Sequence, residues 1–245
     1  LSALRAEEAR EETAVLAKLT GLAESYAAEL AVNAEATGHY DFLFAKARWA
    51  LAIGGTPAAL NDRGFIRLRG ARHPFIAGKP VPLDVEVGDG YRTLLITGPN
   101  TGGKTVALKT VGLLTLIAQS GLLVPAEAGS ELAVFRAVEA DIGDGQSLDA
   151  SLSTFSSHLR RVQGILDVAG KSTLVLLDEL ATGTDPGEGI GLSIAVLEEL
   201  YRRGAIVLAT THFNEIKEYA RVTEGFRNAR MAFDEQMLQP LYRLD

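Results

Sequence analysis

The 245-residue sequence has a formal net charge of -7 and no cysteine, and 47% of its residues are hydrophobic against 22% charged. This composition excludes a disordered chain, and the length suffices for one large α/β domain with an attached piece. Disulfides and thiolate metal sites are excluded by the lack of cysteine, and the acidic balance provides no overall basic footprint for nucleic acid.

Two sequence features bear on the cellular location of the protein. The most apolar stretch, residues 113–126, is interrupted by Gln119, Ser120 and Gly121 and is shorter than the roughly 20 residues that a membrane span requires. The first residues lack an initiator Met and the order of charged and apolar residues of a signal peptide. We therefore expect a soluble, cytoplasmic protein without a membrane partner, and a sequence that is part of a longer protein.

The first 53 residues are rich in Ala, Glu and Leu. Apolar residues recur there at spacings of three and four, which predicts one apolar stripe on a long helix: Val15, Leu19, Leu22, Tyr26 and Leu30. Gly38 and the Gly/Pro cluster at 54–57 predict two helical pieces that end near residue 53. We expect residues 1–62 to form a helical segment that packs on the rest, since its acidic polar face disfavours a membrane-surface helix.

From residue 63 onward, short β-rich runs alternate with helical runs. The runs predict strands at 65–68, 94–97, 134–140, 174–177 and 206–209. Helices are predicted at 105–120, 154–168 and 188–203. Such alternation predicts an α/β domain over residues 63–245, with a mostly parallel sheet flanked by helices.

Eight residues between the strand at 94–97 and the helix at 105–120 match a phosphate-binding pattern, in which four residues separate two glycines and Lys-Ser/Thr follows. They are Gly98, Pro99, Asn100, Thr101, Gly102, Gly103, Lys104 and Thr105, called the phosphate loop below. The glycines allow backbone N–H groups to surround phosphates, and the helix start adds partial positive charge. We expect Lys104 to reach the β- and γ-phosphate oxygens of a nucleotide and Thr105 to help hold Mg²⁺.

Two carboxylates, Asp178 and Glu179, directly follow the apolar run at 174–177. The carboxyl end of a parallel strand is where such sheets bind ligands. There, Asp178 can hold Mg²⁺ through a water, and Glu179 can orient and deprotonate the attacking water. Alone, such a pair is typical of a solvated loop, but its place at the end of a second predicted strand favours catalysis.

His212 follows the next predicted strand, in Thr210-Thr-His212. A lone histidine is usually a satisfied polar residue, and its place at a third strand end favours a sensor that hydrogen-bonds the γ-phosphate. The sequence Gly183-Thr-Asp185-Pro186 primarily predicts a turn that starts the next helix. These strand ends together favour hydrolysis over simple nucleotide binding.

Residues 151–158 are dense in hydroxyl groups where a helix begins. Such a cluster is typical of an N-cap, and it also suits an anion site. If it faces a second subunit, it can complete that subunit's ATP site. In the preceding stretch, 141–146, Gln146 is then the most plausible contact for the attacking water.

In combination, these motifs resemble the MutS-type branch of the ABC-like ATPases, and within it the bacterial paralogues that carry a C-terminal Smr nuclease module and lack the mismatch-recognition domain. The resemblance covers roughly residues 63–245 and rests on ordered strings at 71–74, 96–105, 141–144, 151–158, 177–179, 183–186 and 211–212. It implies a P-loop NTPase fold of the ABC/MutS type, with ATP or ADP and Mg²⁺ as ligands.

The resemblance also implies a homodimer that traps nucleotide at the interface between its two subunits. Ser153 of one subunit would contact the γ-phosphate held by Lys104 of the other, and residues 183–186 would touch across the interface. Residues 1–53 would be the end of a lever that connects the ATP state to a nucleic-acid clamp. The family's adenine contact would fall near Val81, where this sequence has no aromatic residue.

Three functions stay open for the whole protein. The first is an ATPase that drives a clamp on DNA structures and suppresses recombination, and the second is the ATPase module of a factor that binds ribosomal RNA and splits collided ribosomes. The third is a nucleotide-dependent dimerisation module with incidental turnover, which the intact Glu179 disfavours. We expect no nuclease activity in this sequence. Two other classes of protein are disfavoured by missing motifs. The sequence has no Asn-Lys-x-Asp motif, which GTPases use to read the base, and no Leu-Ser-Gly-Gly-Gln string, which is the signature of ABC transporter ATPases.

Overall fold

The computed structural model describes residues 2–78, 80–143, 151–179, 185–234 and 239–245, with the backbone alone at 100, 151–157, 234, 239 and 240. The chain divides into two compact units, Leu1–Trp49 and Ala50–Asp245. None of the helices in the described ranges combines the length and apolar character that a membrane crossing requires.

Two helices account for the first unit and its continuation to residue 53. They are α1 (Ser2–Glu24) and α2 (Ala27–Ile53). Neither helix has a buried side chain, and the apolar stripe predicted from the sequence is exposed. The break between the helices falls at residues 25–26 and not at Gly38, which lies inside α2. A glycine in a helix interior costs only about 1 kcal/mol relative to alanine, so one glycine does not end a long helix.

A six-stranded sheet forms the centre of the second unit. Its strands are β4 (Thr93–Thr97), β6 (Ala137–Asp141), β7 (Thr173–Leu177), β8 (Ile206–Thr210), β9 (Phe226–Asp234) and β10 (Gln239–Leu244). The spatial order is β10-β9-β4-β8-β7-β6. All pairings are parallel except that of β10 with β9.

A second sheet has four strands and contains both parallel and antiparallel pairings. Its strands are β1 (Ala59–Asn61), β2 (Ile66–Ala71), β3 (Leu83–Val87) and β5 (Glu131–Ala133), in the order β1-β5-β2-β3. Here β2 pairs antiparallel with both β3 and β5. The fold is thus mixed α/β, and the expected parallel pairing holds for most of the six-stranded sheet but not for this one.

Every residue of β4, β7 and β8 is buried, as expected for parallel strands with helices on both faces. Helix α3 (Lys104–Gln119) packs closely against β7: a Cβ on Gly112 would come within 2.4 Å of the Leu176 side chain. The other helices are α4 (Ser151–Val168), α5 (Pro186–Arg203) and α6 (Asn214–Val222). Their apolar residues form one core cluster with β4, β7 and β8.

Helix α5 shows how local sequence sets the element ends on this scaffold. Asp185 caps it by accepting hydrogen bonds from the N–H groups of Gly187 and Glu188, and Pro186 occupies the first helical position. Gly204 ends the helix in the left-handed conformation, with φ of 85°.

The strand predicted at 134–140 divides in the structure. Its second half lies in β6 of the central sheet, whereas residues 134–136 lead there from β5 of the mixed sheet. The backbone N–H of Val134 bonds the carbonyl of Asn61 on one side, and that of Arg136 bonds the carbonyl of Ser172 on the other. The single predicted strand therefore connects two sheets, which its sequence pattern could not indicate.

Candidate functional site

Four neighbouring strands of the central sheet present their carboxyl ends at one edge. In spatial order, β4 leads into the phosphate loop at Gly98, β8 into Thr211 and His212, β7 into Asp178 and Glu179, and β6 ends at Asp141. The strands are parallel and in register, with Ile96 opposite Thr210 and Leu177 opposite Ala209. This register brings together side chains that are far apart in the sequence.

The phosphate loop has a backbone that requires glycine at two positions, Gly98 and Gly103. Gly98 has φ of 132° and Gly103 has φ of 88°, conformations that side chains rarely tolerate. A Cβ on Gly98 would also lie 3.1 Å from Cβ of Met231, and one on Gly103 would lie 3.0 Å from the ring of Tyr242. The backbone of the loop thus packs closely against Met231 and Tyr242 before α3 begins at Lys104.

Lys104 lies almost wholly inside this loop, with 2% of its surface exposed. Its Nζ donates hydrogen bonds to the carbonyl oxygens of Gly98 at 2.8 Å and Pro99 at 3.2 Å. Burial lowers the pKa of Lys104, while the carboxylates of Glu179 and Asp178 act in the opposite direction. The lysine and the two acidic residues therefore share one electrostatic site.

Thr210 connects the two acidic residues. Its hydroxyl donates to Oδ1 of Asp178 at 2.6 Å and accepts the backbone N–H of Glu179 at 2.8 Å. Glu179 has φ of 51°, in the left-handed region. For a residue other than glycine this costs on the order of 1–3 kcal/mol, and such strain is concentrated at functional sites. The hydrogen bond that the Glu179 N–H donates to the Thr210 hydroxyl helps to hold this conformation.

His212 lies next to the side chain of Glu179. Its Nε2 is 3.2 Å from Oε1 of the carboxylate and donates to it in the tautomer that carries the proton on Nε2. Both side chains are partly exposed, by 36% and 42%. The pair is therefore accessible from the solvent side of the edge, unlike the buried Lys104.

Asp141 ties α4 to the same edge. The buried carboxylate contacts Nδ1 of His158 and lies 3.2 Å from Nη1 of Arg161, and both partners are on α4. Its backbone carbonyl accepts the N–H of Asp178 at 2.9 Å. The helix that carries Ser153 is in this way linked to the strand end that carries the acidic pair.

A largely apolar cavity of about 240 Å³ adjoins the phosphate loop at Gly103. Its walls include Val81, Val106 and Gly103, together with His73 and Tyr242. Burial is the main cause that lowers the pKa of His73, with the charge of Lys109 adding to it. Val81, the position expected near a nucleotide base, lines this cavity. Val81 is not aromatic, but Tyr242 places a phenol ring in the wall of the same cavity.

The sequence-predicted residues separate into two groups. The structure gathers residues 98–105, Asp178, Glu179 and His212 at the sheet edge. Outside the described residues lie Asp144, Gln146 and 183–184, as do the side chains of Asn100 and Ser153. Sequence reasoning missed Thr210 and Tyr242. The only signal for Thr210 was its place next to Thr211-His212, and Tyr242 had none.

The acidic and hydroxyl side chains at this edge suit a magnesium ion. Within the described ranges no group of three or more His, Asp or Glu side chains could hold a metal. Mg²⁺, however, is commonly bound by one or two protein oxygens together with phosphates and waters. The carboxylate of Asp178 and the hydroxyl of Thr105, in the first turn of α3, are oxygen donors of this kind.

Comparison with known proteins places this site in a family. The family model described as MutS domain V matches residues 94–243. Endonuclease MutS2 of Halothermothrix orenii is 49% identical over 244 residues, and that of Halalkalibacterium halodurans is 51% identical over 241. These alignments cover 100% and 98% of the chain and 31% of each relative.

A third relative, the putative endonuclease MutS2 of Bacillus subtilis, is 49% identical over 245 residues. The chain thus spans about a third of the length of these curated relatives, since each alignment covers 31% of the relative. The family match includes the phosphate loop, both acidic residues and His212. The chain therefore belongs to the MutS family, through its MutS domain V.

Proposed function

We propose that this chain binds ATP and hydrolyses it at the carboxyl edge of the central sheet. The observation that carries the proposal is the meeting of Lys104, Asp178, Glu179 and His212 there, beside a glycine-rich loop. Nucleotide binding alone needs only the loop, whereas a carboxylate and a histidine aimed at the same space suit hydrolysis.

The phosphate loop would bind the triphosphate through its backbone N–H groups and Lys104. Nζ of Lys104 would exchange the carbonyls of Gly98 and Pro99 for the β- and γ-phosphate oxygens. The adjoining cavity would take the base, with Val81 and Tyr242 as its apolar and aromatic contacts.

Mg²⁺ would be held by the hydroxyl of Thr105 and by the carboxylate of Asp178, directly or through a water. When bound, the ion neutralises charge on the phosphate oxygens. Thr210 donates a hydrogen bond of 2.6 Å to one oxygen of Asp178, which supports a fixed carboxylate before an ion binds. Lys104, within electrostatic reach of the same carboxylate, adds positive charge near the phosphates.

Glu179 would act as the general base for the attacking water. Its backbone is fixed by Thr210, and its carboxylate is 3.2 Å from His212. His212 would hold this carboxylate in position and donate a hydrogen bond to the γ-phosphate as negative charge develops there. The water oxygen would attack the γ-phosphorus, the bond from that phosphorus to the β,γ-bridging oxygen would break, and ADP would leave. The proton that the water loses would go to Glu179.

We further propose that two chains form a nucleotide-sandwich dimer of the ABC type. Ser153 on α4 would complete the partner's site, and the link from Asp141 to His158 and Arg161 supports a fixed placement of that helix. Residues 63–245 would be the ATPase domain and residues 1–62 the end of a lever. In the whole protein, ATP turnover would drive a clamp on DNA structures and so limit recombination. The relatives' name, endonuclease, favours a nucleic acid as the partner of that clamp.

The test compares ATP turnover and ATP binding in the wild type and in Glu179→Gln. We expect turnover to fall about a hundred- to ten-thousandfold, because a positioned general base is lost, while ATP still binds. Glu224→Gln, at an exposed carboxylate beside the opposite end of the sheet, is the matched control and should leave turnover unchanged. Near-normal turnover in Glu179→Gln, or no turnover in the wild type, would contradict the proposal.

A further inference from the structure

Thr210 makes two hydrogen bonds from a single buried hydroxyl, and both go to the acidic pair. It is the last residue of β8, with no exposed surface. Its proton goes to Oδ1 of Asp178, and its lone pair takes the N–H of Glu179. Within the described residues, no other group donates a hydrogen bond to the Asp178 carboxylate.

The position of Thr210 follows from the sheet register. Strand β8 lies between β4 and β7, with Thr210 opposite Ile96 and the preceding Ala209 opposite Leu177. Thr210 is therefore one step beyond the last pairing with β7, beside Asp178 and Glu179 as they leave that strand. It occupies the space between the phosphate loop's strand and the acidic pair.

We propose that Thr210 is a positioning residue for the acidic pair: its hydroxyl fixes the Asp178 carboxylate and the left-handed backbone of Glu179 before nucleotide arrives. The inference deepens the proposed function, on which it rests. The contacts that carry this role are those of the Thr210 hydroxyl with Asp178 and Glu179. Thr210 acts through the two carboxylates, so its loss changes turnover and the magnesium requirement more than nucleotide affinity.

A second buried threonine in the same sheet, Thr93, differs from Thr210 in the partners of its hydroxyl. Thr93 is also wholly buried, in the neighbouring strand β4, and its hydroxyl has no hydrogen-bond partner in the described structure. Thr93 therefore provides a buried hydroxyl in the same sheet that bonds neither acidic residue. The Thr210 hydroxyl, in contrast, donates to the carboxylate of Asp178 and accepts the backbone N–H of the next residue, Glu179.

The test uses Thr210→Val, which keeps the shape of the side chain and removes the hydroxyl, and Thr210→Ser, which keeps the hydroxyl. Thr93→Val is the matched control for a buried hydroxyl in the same sheet. Four quantities are measured on each protein: hydrogen exchange of the Glu179 amide by NMR, ATP binding, kcat, and the Mg²⁺ concentration for half-maximal turnover.

In Thr210→Val we expect the Glu179 amide to exchange about tenfold faster or more, because it loses its acceptor. We expect kcat to fall and the Mg²⁺ requirement to rise by similar factors, with ATP binding within about twofold of the wild type. Thr210→Ser should restore all three, and Thr93→Val should match the wild type.

Unchanged exchange and unchanged kcat in Thr210→Val would overturn the inference, as would equal loss in Thr210→Ser. The amide measurement needs no nucleotide, so it reports on the positioning even if the chain proves not to hydrolyse ATP. Absence of turnover in the wild type would instead refute the proposed function. The two failures are thus distinguishable in one set of samples.

Discussion

Nε2 of His212 and Oε1 of Glu179 lie 3.2 Å apart, although 33 residues separate them in the sequence. They meet because β7 and β8 are parallel neighbours that end at the same edge. The contact joins the proposed general base to the proposed phosphate sensor. Either residue would therefore affect the other's position during hydrolysis.

His212→Ala should lower kcat about a hundred- to thousandfold, since a hydrogen bond to developing charge is lost and Glu179 loses its neighbour. Nucleotide binding should change little. The measurement is steady-state ATP turnover alongside equilibrium binding. His39→Ala, at an exposed histidine of α2, is the control; a His212→Ala protein as active as this control would contradict the role.

Lys104→Met should abolish ATP binding, because the charge that meets the phosphates is removed. It should also change how stability depends on pH. Burial lowers the pKa of Lys104 from 10.5, so between the two pKa values the unfolded chain binds more protons than the folded one. The cost of burying the charge is fully present below the folded-state pKa and is relieved as pH rises toward 10.5.

The unfolding free energy of the wild type relative to Lys104→Met should therefore increase as pH rises from neutral toward 10.5. Urea unfolding of both nucleotide-free proteins at several pH values measures this difference. A difference that stays constant, or that decreases, would show that burial does not penalise the charge of Lys104.

Mixing Ser153→Ala with Lys104→Met should restore activity that neither variant has alone. In a mixed dimer, the first chain supplies an intact phosphate loop and the second an intact Ser153, so one site is complete. With random pairing, half of the dimers are mixed, and activity should reach about a quarter of the wild type. No restoration, or wild-type specific activity that stays constant on dilution to monomers, would rule out a shared site.

Tyr242→Ala should weaken ATP binding about fivefold to a hundredfold, the range for loss of a stacked base. Tripolyphosphate, which has no base, should bind both proteins equally. Calorimetric titration with the two ligands separates the contributions. Tyr40→Ala, at an exposed tyrosine of α2, is the control, and equal weakening for both ligands would place the effect on the phosphate loop instead.

Much of the domain could be predicted from the sequence. The strands at 94–97, 174–177 and 206–209 and the helix after the phosphate loop are found within one or two residues, because buried parallel strands are continuous apolar runs. Of the mixed sheet, only β2 was predicted, as the strand at 65–68. Its other strands were missed, and two of them, β1 and β5, have only three residues each. Periodicity over three residues carries almost no signal.

The sequence by itself determined the chemistry available at each strand end: a glycine-rich loop with Lys104, an acidic pair, and a histidine. Glycine conformations, helix starts and apolar runs are local properties, so they can be read from neighbouring residues. Only the tertiary structure decided which ends meet. The order β4-β8-β7 inserts Thr210 between the phosphate loop and Glu179, and β10 brings Tyr242 to the cavity. Strand order and register depend on packing across the whole sheet, which no local pattern specifies.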